Sequence, residues 1–232
     1  VINEISFPPK LQLIGESALK NCNNLKKVEF NEHSLLRCID NEAFYHSAIE
    51  ELVIPSSVER IGERAFYECM KIKSVTFEDK PELRLIEREA FSQSSIESIT
   101  IPPKVLCIHE STFKDCNKLQ TVRFLEGSLL KEIKEKAFES SSLLRIEIPS
   151  NVISINESAF HDCKKLIGVG FADGSKLKHI HKNAFSGSGI LEIKLPKSLI
   201  KISEGCFNDC QKLSNVTFDE NSSLQIISRR AF

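Results

Sequence analysis

The chain contains no tryptophan, two tyrosines and one methionine in 232 residues. It also lacks a charge imbalance: Lys+Arg 31 against Asp+Glu 32 gives a formal net charge of -1. That balance excludes a strong general attraction to nucleic acid or to acidic membranes. No apolar run approaches the roughly 18 residues needed to cross a bilayer, so direct membrane insertion is not expected of this segment. There is no initiator methionine and no signal-like start, so a processed chain or a fragment is expected and targeting is not readable. Neither Cys-x-x-Cys nor Gly-x-Gly-x-x-Gly, Gly-x-Ser-x-Gly, His-Glu-x-x-His or a P-loop occurs. What is present suffices for a core: 41% hydrophobic residues against 27% charged. Eight cysteines and fifteen phenylalanines beside so few other aromatics is a lopsided inventory, which points to repetition.

Repetition is found at once. Prolines stand at 8, 55, 102, 149 and 196, in steps of 47, and cysteines at 22, 69, 116, 163 and 210 keep the same step. So do Phe30, Phe77, Phe124, Phe171 and Phe218, and again Phe44, Phe91, Phe138, Phe185 and Phe232. Each unit splits into halves of 24 and 23 residues, exemplified by 58–81 and 82–104. Both halves carry a hydrophobe, an Ile, an Ala-Phe, a Cys or Ser, and an apolar-x-x-apolar-x-apolar segment. About ten such motifs fill residues 1–232, which are read as one domain.

Segments such as Leu25-Lys-Lys-Val28-Glu-Phe30 alternate apolar and polar residues at their ends, the period-2 signature of a half-buried strand. Pro after Ile54, Ile101, Ile148 and Leu195 should end each short-half strand, because it cannot donate a ladder hydrogen bond. The stretch at 61–69 is expected to form a short helical turn on the opposite side, stable only through packing between neighbours. Ala65-Phe66, Ala90-Phe91 and Ala137-Phe138 predict a spine of Phe under the convex side, with Ala allowing close approach.

The alternation of Ile-Gly-Glu-x-Ala-Phe-x-x-Cys-x-x-Leu-x-x-Val-x-Phe with Ile-x-x-Ile-x-Ile-Pro-x-Ser-Val resembles the BspA-like, treponemal-type leucine-rich repeats. The resemblance covers essentially the whole chain. It implies an α/β solenoid: a leucine-rich repeat horseshoe with a parallel sheet on the concave face and short helical or 3-10 turns on the convex face. It further implies a non-catalytic surface or secreted protein, as in bacteria and trichomonads, engaged in adhesion and protein binding. An intracellular scaffold built from the same repeats is the alternative, because free thiols persist most easily in a reducing compartment. Departures occur at Leu19 (for Phe), at His109 and Asn156 (for Gly), and at Gly205-Cys206, read as shifted from Ala-Phe with Phe207 kept.

Within one chain the repeats serve as their own alignment. Recurring positions hold the solenoid; positions that vary are free for function. The varying strand residues that should line the concave face include Glu29, Glu51, Thr121, Arg123, Arg145, Glu147, Gly168, Gly170, Glu192 and Lys194. These are the candidate partner-binding residues. Gly168 and Gly170 are expected to leave a bare patch of backbone where a protein partner approaches closely. No aromatic cluster marks a hot spot among them.

The ladder cysteines fall two rungs apart, about 10 Å at a strand spacing near 4.8 Å, too far for the roughly 7 Å that a disulfide tolerates. They are read as small buried residues, with Ser47, Ser94, Ser141 and Ser188 in the matching slot of the short halves. Cys206 and Cys210 are close in sequence and in principle able to pair. His161-Asp-Cys163 and His179-Ile-His181 come nearest to ligand spacing; ordinary surface histidines are the simpler reading, and no metal or cofactor is expected. Sequons stand at Asn156, Asn215 and Asn221. Val1 falls inside a strand motif and Ala231-Phe232 half a rung into another, so a piece of a longer array is expected.

Overall fold

The computed structural model describes residues 2–232; Val1 lies outside them. The chain coils into stacked rungs, each contributing one four-residue strand, from Glu4–Phe7 to Asn215–Phe218. Ten such strands are present among the described residues, all in parallel register. The alternation read from sequence sets their faces: in Glu51–Ile54 the first and third residues are exposed and the second and fourth buried.

The first eight strands form one sheet, ending at Gly168–Phe171, and the last two form a separate pair. The pairing alternates in strength along the sheet. Where 23 residues separate strands, all four positions pair, as in Ser98–Ile101 with Thr121–Phe124. Where 24 residues separate them, the strands splay: only Thr121 pairs with Arg145, and only Lys27 with Glu51. Between Gly168–Phe171 and Glu192–Leu195 the ladder is lost.

A second set of parallel ladders, made of two-residue strands such as Arg60–Ile61 and Glu132–Ile133, runs along another side of the coil. The expected convex helical turns are absent among the described residues, and the reason lies in the hydrogen bonding. In 62–69 alternate amides bond back three residues within the rung (Tyr67 N to Arg64 O, 3.1 Å). The intervening ones bond forward to the next rung (Phe66 N to Ala90 O, 2.7 Å). A helix needs every amide to bond four residues back within its own segment. Left-handed residues recur four apart, Arg64 and Glu68 in this rung, and turn the chain each time. Such a conformation costs a non-glycine residue about 1–2 kcal/mol, and the inter-rung bonds and packing offset it. In one rung Gly205 takes the slot at φ 65°. Cys206 accordingly sits in the Ala slot and its carbonyl accepts from Phe185 N at 2.8 Å, so the motif there is not shifted in register.

The Phe spine is continuous. Phe44, Phe66, Phe91, Phe113, Phe138, Phe160, Phe185, Phe207 and Phe232 stack with neighbouring ring centroids 5.1–5.5 Å apart. That spacing barely exceeds the strand spacing of about 4.8 Å, so the arc is shallow.

All eight cysteines are free, including Cys206 and Cys210, which do not bond to each other. The ladder thiols do more than fill space. Cys69 Sγ donates to Phe44 O at 3.1 Å and meets Ser47 Oγ at 3.4 Å. The arrangement repeats at Cys116, Cys163 and Cys210 with Ser94, Ser141 and Ser188. Each short-half Ser thus pairs with the long-half Cys one rung on.

Candidate functional site

Some charged side chains of the repeats are committed to neighbours in adjacent rungs. Arg60 Nε meets Glu87 at 2.8 Å and its Nη1 meets Asp40 at 2.9 Å. Glu89 accepts from both Arg64 and Arg88. Tyr45 and Tyr67 stack at 5.2 Å on the convex side, with Lys20 over Tyr45 and Gln93 Nε2 donating to the Tyr67 hydroxyl at 2.6 Å.

The candidate residues divide on this criterion. Glu29, in the second strand, is committed: Lys27 lies 2.5 Å away and Ser6 Oγ donates to it at 3.0 Å. The Lys27 ammonium holds its carboxyl below the usual range. Glu51, on the next strand, and Glu29 lie rungs away from the rest. Thr121 sits beside Arg145 in the ladder. Among the described residues, Arg123, Arg145, Glu147, Glu192 and Lys194 enter no ion pair.

Four of those five converge. Arg145, Glu147, Glu192 and Lys194 rim a shallow hollow of about 560 Å³ whose floor is Gly168 and Gly170. Period-2 alternation aims them outward; the two glycines between them supply no side chains, so a depression forms. The glycine backbone is not bare as expected. Arg145 and Glu147 lean over it, and a Cβ built at Gly168 would stand 2.8 Å from Arg145 Nη1. Arg123 and Glu147 line a neighbouring cleft of about 460 Å³, where the splayed strands part.

Sequence reasoning missed the apolar border of this hollow. The residue just before each strand is polar in most rungs: Asn3, Lys26, Glu50, Lys73, Glu97, Gln120 and Ser214. In three consecutive rungs it becomes Leu144, Ile167 and Leu191. Leu144 and Leu191 are each 42% exposed, and Ile167 and Leu191 line the hollow. Reading that slot along the array would have found them.

The histidines offer no ligand set. His179 and His181 flank buried Ile180 with ring centroids 6.0 Å apart, and no group of three or more metal-ligating side chains gathers among the described residues. No helix among them is long and apolar enough to cross a membrane.

Comparison with known proteins agrees with this fold. No curated protein matches the chain. Among solved structures, the pneumococcal vaccine antigen PcpA is similar at 23% identity and a TM-score of 0.62, over 99% of this chain and 66% of that one. This chain thus spans about two thirds of its length. The T. pallidum leucine-rich repeat protein TpLRR is similar at 22% identity and a TM-score of 0.55, over 77% of this chain and 73% of that one. The model of the BspA type leucine-rich repeat region matches in six copies across residues 1–120, 37–167 and 131–232. That repeat family suggests a protein-interaction module on a fold that is typically non-catalytic, and with its repeats running the length of the chain, this protein belongs to the BspA-type leucine-rich repeat family.

Proposed function

We propose that this chain is a non-catalytic protein-binding module, acting at a cell surface or after secretion, and that it binds through the concave face around Gly168 and Gly170. The observation that carries this reading is the convergence of four unpaired charges and an aliphatic border on one hollow. Among the described residues Arg145, Glu147, Glu192 and Lys194 enter no ion pair and stand around one hollow that Ile167 and Leu191 border. Such groups have solvent to lose and a partner to gain, which makes them selectors of partner and orientation. The bordering aliphatic residues supply the area that charges alone do not.

The surface setting draws on the family resemblance and on similarity to a vaccine antigen. Eight free thiols favour the second reading, an intracellular scaffold. Peptide mass spectrometry without reduction, on protein from its native source, separates the two. Glycan mass at Asn156, Asn215 or Asn221 puts the chain in the secretory pathway.

The binding face is tested by photo-crosslinking in an extract of the native source. A crosslinking amino acid at Thr121 or Thr217 is expected to give discrete protein adducts, and one at His181 on the flank is not. Arg145→Glu combined with Lys194→Glu should abolish the Thr217 adducts. Equal labelling from both faces, or adducts indifferent to the double charge reversal, would overturn the concave-face reading.

A further inference from the structure

We propose that the hollow's own partner is a second copy of this chain, docked face to face about a two-fold axis running along the Gly168–Phe171 strand. The proposal rests on the preceding reading of this face as a contact surface and names its occupant. Its basis is a self-complementary layout. An isologous interface places each residue against the one mirrored across the axis. With the axis on the Gly168 strand, the Arg145 strand meets the partner's Glu192 strand. Arg145 then faces the partner's Glu192, and Glu147 faces the partner's Lys194. The register that aligns Arg145 with Gly168 and Glu147 with Gly170, one pair at each end of the strands, sets this order.

The remaining positions agree. Gly168 and Gly170 lie on the axis and add no side chains there; Arg145 and Glu147, which lean over them in the single chain, swing outward to reach the partner. Thr121 and Arg123 meet Asn215 and Thr217, so no like charges face each other. Along the border, Leu144 meets Leu191 and Ile167 meets itself, joining two partly exposed aliphatic rows into one apolar strip. Of the axes that run along one described strand of this face, this one alone sets opposite charges together on the two flanking strands: the Lys27 strand would oppose Glu4 to Glu51, and the Arg145 strand would set Arg123 against Gly170.

Size sets the strength. Five rungs at about 4.8 Å by four residues at about 3.3 Å make a patch of roughly 24 by 13 Å. That is well below a standard interface of about 800 Å² per partner, so the association is weak and reversible. It is therefore a device for chains held at high local density.

The test uses the purified chain alone, made in a host that does not glycosylate Asn215. Sedimentation velocity from micromolar to millimolar concentration should show a monomer passing into a dimer. Arg145→Glu sets two pairs of carboxylates against each other in the dimer, and Glu192→Arg sets two pairs of guanidinium groups. Each should weaken self-association at least tenfold with the melting transition unchanged. Mixing the two variants in equal amounts should restore a dimer. In the mixed pair, the carboxylate introduced at position 145 faces the guanidinium introduced at position 192. At the other contact the unchanged Glu192 and Arg145 meet as in the wild type. A wild-type chain that stays monomeric at millimolar concentration overturns the proposal, as does a dimer indifferent to either reversal or a mixture that fails to recover. A monomeric chain that still gives foreign-protein adducts in the crosslinking experiment would remove this inference alone and leave the binding-module reading standing.

Discussion

Phe138→Ala is expected to lower the unfolding free energy by roughly 3–5 kcal/mol, the range for deleting a fully buried aromatic. Phe138 is 0% exposed and stacks between Phe113 at 5.3 Å and Phe160 at 5.1 Å. Its removal leaves a ring-sized void and breaks the stack on both sides at once. The void has little freedom to collapse. Ala137 N and Phe138 N are both fixed, the first within the rung to Lys134 O at 3.3 Å and the second to Ala159 O at 2.8 Å. Because each rung is supported only by its neighbours, the loss falls on the interfaces either side of one rung. The matched control is Phe232→Ala. That ring is 51% exposed and stacks on Phe207 alone, so it should cost well under half as much. Urea titrations followed by circular dichroism measure both. A mid-array cost below about 1 kcal/mol, or equal costs at the two sites, would mean that the stack is not what holds the rungs together.

Much of this core is legible in the sequence. Four ladders at one period identify which residues repeat, and Ala-Phe pairs place the spine, because a recurring small-large pair has few explanations other than close packing. The strand faces follow from alternation alone. The convex turns are not legible. Residues such as Arg64, Glu89 and Lys136 have nothing in their chemistry that announces a left-handed backbone; it is imposed by bonds to a rung about two dozen residues away. The same limit applies to the candidate site. Outward-facing Arg145, Glu147, Glu192 and Lys194 are readable as a set, but not that they go unpaired while Glu29 is taken by Lys27. Leu144, Ile167 and Leu191 escape because an aliphatic residue next to a strand reads as core until its slot is compared from rung to rung. The Ser-to-Cys bonds escape for a related reason: in sequence the two residues are equivalents in alternating halves, whereas stacking makes them partners.

The buried thiols carry the second large effect: the fold should become steeply unstable above pH 9. Burial pushes the Cys69 thiol up to about 11 and those of Cys116 and Cys163 up to about 12, against an ordinary 9.0, with the Ser47, Ser94 and Ser141 hydroxyls countering only in part. A raised thiol pKa means that the folded state holds its proton after the unfolded chain has released it. Below pH 9 both states are protonated and these groups give no pH dependence. Between pH 9 and about 11 the unfolded state alone ionises, and each thiol destabilises the fold by about 1.4 kcal/mol per pH unit. Three together give a slope of about 4 kcal/mol per pH unit, enough over two units to consume a typical stability of about 5–15 kcal/mol. Lysines and tyrosines titrate in the same range, so the comparison must isolate the thiols. Cys69→Ala, Cys116→Ala and Cys163→Ala combined should start from a lower stability at pH 8, having lost three Sγ-to-carbonyl bonds, yet fall far less steeply from pH 9 to 10.5. Urea midpoints taken across that interval give both slopes. Parallel slopes would show that the three thiols ionise as readily folded as unfolded, which a side chain sealed between a Phe carbonyl and a Ser hydroxyl does not do.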